Sequence, residues 1–154
     1  MGREIRYKRA TKNNVSAIFT VLEEIASEIP VCLDTPERKN LTFERVQKCS
    51  ESGETWIALS RDNQVVGFLL AEPDQQERFF HDNQALHLPY GGVSESYRGQ
   101  HIFLTLVEKI MAKGVPLTGT VKRTNKSDMA GRLLKLGFTK VSFTDKEDNL
   151  RWHP

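Results

Sequence analysis

The sequence predicts an α/β fold of the α+β kind: a mixed, mostly antiparallel central sheet of about six or seven strands flanked by about four helices. Three observations predict it. Strand–helix–strand units in the second half call for parallel pairing, since such strands need a crossover between them. A strand–turn–strand hairpin near the middle calls for antiparallel pairing. Helical stretches with apolar residues at i, i+4 spacing each carry a stripe that must be buried, and a sheet with helices on both faces buries them all. With 154 residues the chain supplies one core and little more, so residues 1–154 read as a single domain.

Ile5 to Lys8 opens the chain as a short strand. Thr11 to Glu28 places Val15, Ile18, Leu22 and Ile25 on one helical face, and Pro30 ends that helix. Thr35-Pro36-Glu37 has the form of a helix start, and a second short helix is predicted over Phe43 to Cys49. Thr55 to Ser60 and Val65 to Ala71 are strands joined by a turn at Asp62-Asn63. Pro73 to Asn83 is polar and reads as a loop. Ala85 to Val93 is a third strand whose Gly91-Gly92 points to a bulge or a close backbone approach. His101 to Lys113 carries Ile102, Leu106 and Ile110 on one line and Phe103, Val107 and Met111 on the next, a wide helical face closed by Gly114. Leu117 to Val121 is a strand. Asp128 to Leu136 is a helix closed by Gly137. Phe138 to Phe143 and Asn149 to Trp152 are the last strands, around a charged turn.

Composition excludes several classes. The hydrophobic share of 38% and net charge of +2 are those of a folded domain, and that charge gives no reason to expect a nucleic-acid or membrane partner. The longest apolar run, Val65 to Ala71, is far short of the roughly 20 residues that span a bilayer. The opening residues carry charge and no apolar stretch, so no signal peptide is expected. Cys32 and Cys49 form no disulfide framework, and a reduced, cytoplasmic chain is the simpler expectation. His81, His87, His101 and His153 show no metal-ligand spacing, so no metal is expected. There is no P-loop and no nucleophile elbow.

The stretch that carries chemistry runs from Val93 through Arg98, Gly99, Gln100 and His101 to Ile102 and Phe103. It lies between a strand and the start of a strongly amphipathic helix. Such a turn presents unpaired backbone N–H groups, the helix dipole adds partial positive charge, and Gly99 admits close approach of a ligand. Arg98 adds a full charge. Together these suit a phosphate or pyrophosphate; a plain turn with a solvated Arg98 fits the same letters.

This segment resembles the cofactor motif of the GNAT family of acetyl-CoA-dependent N-acetyltransferases, commonly V-x-P-x-Y-R-G-x-G-x-G/A before a helix. Val93, Tyr97, Arg98 and Gly99 fall on it without a gap. Asn125, followed by a helix ending Leu136-Gly137-Phe138, is a second match, and the element order is a third. The resemblance implies acetyl-CoA as co-substrate, no metal, and transfer of an acetyl group to a primary amine of a small molecule or peptide by direct attack. It implies pantetheine along Gly91 to Val93, Gly92 included, and pyrophosphate on the N–H groups of Gly99 to Phe103, with Asn125 nearby. The sequence departs from the pattern at Glu95, His101, Phe103 and Leu133, the last standing where many members carry a Tyr that protonates the leaving thiolate. His101 costs cofactor affinity if its position needs tight approach of the backbone to phosphate; if the conformation is ordinary helical, it is tolerated and is able to touch phosphate itself.

For the base, His87 falls by gap-free counting where histone-type members carry a catalytic Glu; a half-buried strand histidine without a role is the other reading. Tyr90 and Tyr97 are candidates for the acid. Acceptor contacts are expected within Glu23 to Asn40 and Pro73 to Asn83, whose Glu23, Glu24, Glu28, Asp34 and Asp74 would suit a cationic amine; surface solubility accounts for the same residues equally well. Lys122, Arg123 and Lys126 lie near the coenzyme's phosphates in this reading; a contact with nucleic acid is a weaker one. A catalytically weak CoA-binding or regulatory module of the same fold is the alternative function, and a homodimer is left open.

Overall fold

The computed structural model describes residues 4–75, 84–123 and 128–154. Strand β1 (Arg6–Arg9) leads to helix α1 (Val15–Ile25) through a single turn in which Thr11 and Asn14 cap one another. Helix α2 (Pro36–Glu51) begins where Thr35 accepts a hydrogen bond from the Arg38 N–H, with Pro36 at the first helical position. It runs from the predicted start at Thr35-Pro36-Glu37 through the predicted Phe43 to Cys49 stretch as one helix. Its buried residues, Thr42, Val46, Cys49 and Ser50, form a narrow stripe on an otherwise polar helix, so the apolar period is faint over its first turns.

The strands β2 (Trp56–Leu59), β3 (Val65–Leu69), β4 (Glu72–Pro73), β5 (Leu86–Leu88) and β6 (Gly91–Val93) follow. Then come α3 (Ile102–Met111), β7 (Leu117–Lys122), α4 (Met129–Lys135), β8 (Thr139–Phe143) and β9 (Glu147–Trp152). The strands form two sheets ordered β1-β2-β3-β6 and β4-β5-β7-β9-β8. Among the described residues only β5 and β7 pair in parallel, so the sheet is mixed and mostly antiparallel, as the sequence predicts.

Helices cover both faces of the first sheet. Ile18, Leu22, Val46 and Cys49 of α1 and α2 pack with Ile57, Phe68 and Leu70 on one face, all without solvent exposure. On the other face Ala58, Val66 and Leu69 meet α3, whose Ile102, Phe103, Leu106, Val107 and Ile110 continue onto Leu86, Leu88, Leu117 and Leu150 of the second sheet. Each fully buried side chain of this size contributes about 1.5–3 kcal/mol. The second sheet has an apolar face under α3 and α4 and a polar face turned away from them.

The predicted strand from Ala85 to Val93 is divided. Leu86–Leu88 pairs with β4 and β7, whereas Gly91–Val93 pairs with β3. Pro89, which offers no N–H to a ladder, stands at the division. This break joins the two sheets and opens the site.

Candidate active site

Beyond Leu88 and Gly119 the parallel partners part. Strand β7 runs on with β9 through Thr120, Val121 and Lys122, while β6 turns to β3. A wedge-shaped gap opens between β6 and β7. Its β6 wall is backbone. Leu70 N–H donates to the Tyr90 carbonyl at 2.9 Å and Ser94 N–H to the Val66 carbonyl at 2.8 Å. Antiparallel ladders alternate, so Gly92 is the next bonded pair, and the N–H and C=O of Gly91 and Val93 point into the gap.

Glycine is needed here for space. A Cβ on Gly91 would lie 2.6 Å from Leu69 Cδ1 and 3.2 Å from the Phe68 carbonyl oxygen, and one on Gly92 would lie 2.0 Å from Ile25 Cδ1. The expected close approach is therefore to the strand and helices behind β6.

The loop between β6 and α3 supplies the second wall. Gly99 has φ +83, and its missing side chain leaves open space. His101 caps α3 with φ 58 and ψ 21, in the left-handed region, and its side chain makes no capping bond. His101 thus does not take the ordinary helical conformation; its left-handed backbone costs about 1–2 kcal/mol for an L-residue. The first N–H groups of α3, those of Ile102 and Phe103, have no helical partner.

Arg98 faces inward. Its guanidinium makes a two-pronged ion pair with Glu28 (3.1 and 2.7 Å), and its Nε donates to the Val93 carbonyl at 3.2 Å. The Arg98 side chain is 27% exposed and that of Glu28 6%. One helical turn earlier, Glu24 accepts from Ser94 Oγ at 2.9 Å and from Glu95 N–H at 2.8 Å. Two carboxylates four residues apart thus moor the loop to the end of α1. From the other wall, Lys122 Nζ donates to the Ser27 carbonyl at 2.8 Å. The turn after α1 is held across the gap from both sides.

Two adjoining hollows, each of about 530 Å³, follow this gap. One lies at the α3 start against Gly92, Arg98, Gly99, His101 and Phe103. The next is lined by Leu88, Pro89, Tyr90, Gly91, Val121 and Leu133. On the polar face of the second sheet, an open cleft of about 1070 Å³ is walled by Glu72, Asp74, His87, Thr118, Asn149 and Arg151. Gly119, Thr120 and Leu150 line both this cleft and the second hollow, so the two lie back to back across the same stretch of β7 and β9.

His87 lines the cleft on the polar face. Its Nδ1 is 2.9 Å from Thr118 Oγ1, and Thr118 Oγ1 donates to Asp74 Oδ2 at 2.5 Å. Burial holds its imidazole below the ordinary histidine range; the Asp74 carboxylate opposes this, the Arg45 guanidinium adds to it, and the Glu72 carboxylate opposes it. The ring is therefore neutral at pH 7. Tyr90 lines the second hollow, with the Arg45 guanidinium 5.5 Å from its ring centre. Arg45 in turn pairs with Glu72. Cys49 lies beneath that pair, its thiol pushed up to about 12 by burial and the Glu72 charge, which leaves it protonated and unreactive.

The structure gathers Gly92, Val93, Arg98, Gly99, His101, Ile102 and Phe103 around one hollow, with Gln100 in the same loop. Tyr90 lies in the next hollow and His87 in the cleft beyond. Asn125 lies outside the described residues, as does Lys126. Arg123 turns away to Asp148. Sequence reasoning did not find Thr118, Gly119, Thr120 and Leu150, nor the partnership of Glu28 with Arg98. Only the register of β7 against β5 and β9 reveals the former group, and that register is not written locally.

The sequence pattern of the acetyltransferase (GNAT) family matches residues 19–138. The chain belongs to that family. Solved structures share its fold. A protein from Pyrococcus horikoshii superposes with a TM-score of 0.73 at 16% identity, covering 98% of this chain and 99% of that one. The NatC complex bound to Gag peptide and CoA gives 0.73 at 16% identity with the same coverage. The PaiA N-acetyltransferase of Thermoplasma acidophilum, in complex with coenzyme A, gives 0.65 at 16% identity, again covering 98% and 99%. No curated protein matches the chain in sequence.

Proposed function

We propose that this chain transfers the acetyl group of acetyl-CoA to a primary amine of a small molecule or peptide by direct attack. The observation that carries the reading is the pair of hollows that lie back to back on the two faces of the sheet at Gly119, Thr120 and Leu150. One partner of a two-substrate reaction enters from each face, and the reacting atoms meet at the gap without a covalent enzyme intermediate.

The residues present fit acetyl-CoA. The outward N–H and C=O of Gly91 and Val93 suit the amides of pantetheine, and the apolar walls Leu88, Val121 and Leu133 suit its chain. The N–H groups at the start of α3 suit a pyrophosphate. Arg98, tied to Glu28, serves this site by holding the loop. The Gly91 N–H is the donor best placed for the thioester oxygen as negative charge develops there.

His87 is the base. An amine arrives as an ammonium ion and gives one proton to the imidazole. Its lone pair then forms the C–N bond to the thioester carbon. The C–S bond breaks with its electron pair going to sulfur, and the second amine proton passes to that thiolate. Tyr90, in the hollow where Leu133 replaces the family's tyrosine, is the donor of the thiolate's proton and takes the amine's proton in exchange. With Glu72 held by Arg45, Asp74 is the carboxylate that the cleft offers to a cationic amine.

Titration with acetyl-CoA, followed by turnover on a panel of amines and peptide N-termini, tests the reading. Micromolar binding with turnover is expected. Absence of binding up to millimolar concentrations overturns it. Binding without turnover on any amine favours the CoA-binding module, a reading supported by the buried Leu133 at the tyrosine position.

A further inference from the structure

We infer that Asp74 and Thr118 are positioning residues for His87, a relay that fixes which imidazole nitrogen carries the proton. The inference rests on the reading of His87 as the base. Pairing across β4, β5, β7 and β9 sets Glu72, His87, Thr118 and Arg151 in one row on the polar face of the second sheet. Within this row Thr118 Oγ1 has two polar neighbours, Asp74 Oδ2 at 2.5 Å and His87 Nδ1 at 2.9 Å.

A hydroxyl has one proton to give, and a carboxylate only accepts. The Thr118 proton therefore goes to Asp74, and its oxygen is left to accept from His87. The His87 proton must then sit on Nδ1, which leaves the lone pair on Nε2, the nitrogen outside the relay. The arrangement gives a neutral histidine the role of a base in one defined tautomer, with Asp74 stabilising the imidazolium that forms when Nε2 takes a proton. The charges facing the ring are the carboxylates of Asp74 and Glu72 and the guanidinium groups of Arg45 from α2 and Arg151 from β9. Glu72 is engaged by Arg45, so Asp74 is the carboxylate coupled to the ring through hydrogen bonds.

The tautomer is read directly in the full chain by long-range proton–nitrogen NMR of histidine-labelled protein, with His87→Gln assigning the signal among four histidines. The expected result is a neutral His87 protonated on Nδ1 that takes up its second proton below the ordinary histidine range. In Thr118→Val, which keeps shape and removes the hydroxyl, the proton is expected to redistribute toward Nε2. Thr118→Ser is expected to restore the Nδ1–H form. In Asp74→Asn the second protonation is expected at still lower pH, because the charge that favours imidazolium is gone.

On whichever amine the screen identifies, Thr118→Val is expected to lower kcat by about tenfold or more, with the KM for acetyl-CoA unchanged and Thr118→Ser active. A wild-type His87 protonated on Nε2, or a Thr118→Val protein with unchanged tautomer, kcat and acid limb of the pH profile, overturns the relay. If His87→Gln is inactive in that second case, the base reading survives and the relay alone fails. Full kcat in His87→Gln overturns the base reading and the relay with it.

Discussion

On the α3 side of the gap, the groove is made of main chain. Gly91 and Val93 aim their peptide groups into it, Gly99 and His101 take left-handed conformations at its mouth, and the helix start supplies N–H groups. The charged side chains nearby bind one another: Arg98 to Glu28, and Lys122 to a carbonyl of the turn after α1. On the other side of the same sheet, the cleft is made of side chains, with Glu72, His87, Thr118 and Arg151 in one row and Thr120 and Asn149 in the next, joined at 2.7 Å. A wall of main chain is altered by adding bulk or changing backbone freedom. A wall of side chains is altered by exchanging single atoms at constant shape. The two halves should therefore respond to different classes of substitution, and the variants below test that from the largest effect to the smallest.

Gly99→Trp carries the largest expected effect. A side chain at this position enters open space beside the hollow at the α3 start, so it fills the site without displacing the core. Acetyl-CoA affinity by isothermal titration should fall at least a hundredfold, on the order of 2.8 kcal/mol. Thermal unfolding should shift by only a few degrees, since the left-handed backbone costs about 1–2 kcal/mol. Unchanged affinity would remove this loop from the coenzyme site.

Gly91→Val attacks the groove from behind. Its new atoms collide with Leu69 and with the Phe68 carbonyl, which is main chain and has little room to yield. A loss of about 2–3 kcal/mol is expected in denaturant unfolding, in the range of an overpacked core. Wild-type stability would mean that β6 moves freely against β3.

Glu28→Gln separates stability from binding. It removes the charge and one of the two acceptor oxygens of a two-pronged pair that is buried on the Glu28 side and 27% exposed on the Arg98 side. A loss of about 2 kcal/mol is expected, below the range for fully buried pairs because Arg98 can reach water. Acetyl-CoA affinity should fall severalfold, since the loop that carries the helix start loses part of its mooring. A rise in affinity would show that the freed guanidinium binds the pyrophosphate itself and that Arg98 is more than a mooring.

The same contrast explains what could be read from the sequence. The main-chain half is local. Val93 to Phe103 is one contiguous segment, the stripe Ile102, Leu106, Ile110 marks its helix, and the family match over residues 19–138 bears out the resemblance seen there. The side-chain half is assembled at a distance. Thr118 reaches Asp74 across 44 residues and Arg98 reaches Glu28 across 70, and neither spacing leaves a periodic trace. The division of Ala85 to Val93 into β5 and β6 was half visible. Pro89 and the paired glycines mark an irregularity, but the change of partner from β7 to β3 depends on which strands lie alongside. Helix α2 is legible at its start, Thr35-Pro36-Glu37, and over Phe43 to Cys49, while the turns between are faint because only a thin line of its surface is buried.

His101→Gly is the smallest expected effect and the finest probe of the main-chain half. His101 occupies φ 58 at the cap of α3 and makes no capping bond, so its side chain offers nothing visible in return for the strain. Glycine removes about 1–2 kcal/mol of left-handed strain and adds about 0.4–1 kcal/mol of unfolded-state freedom, for a net gain of up to about 1.6 kcal/mol. Thermal unfolding should therefore rise by a few degrees or less. Acetyl-CoA affinity distinguishes two roles for the residue. If the loop is purely a main-chain cradle, affinity is unchanged or slightly higher in the glycine variant. If it falls, the imidazole itself touches the phosphates, and this wall of the groove has one side-chain member after all.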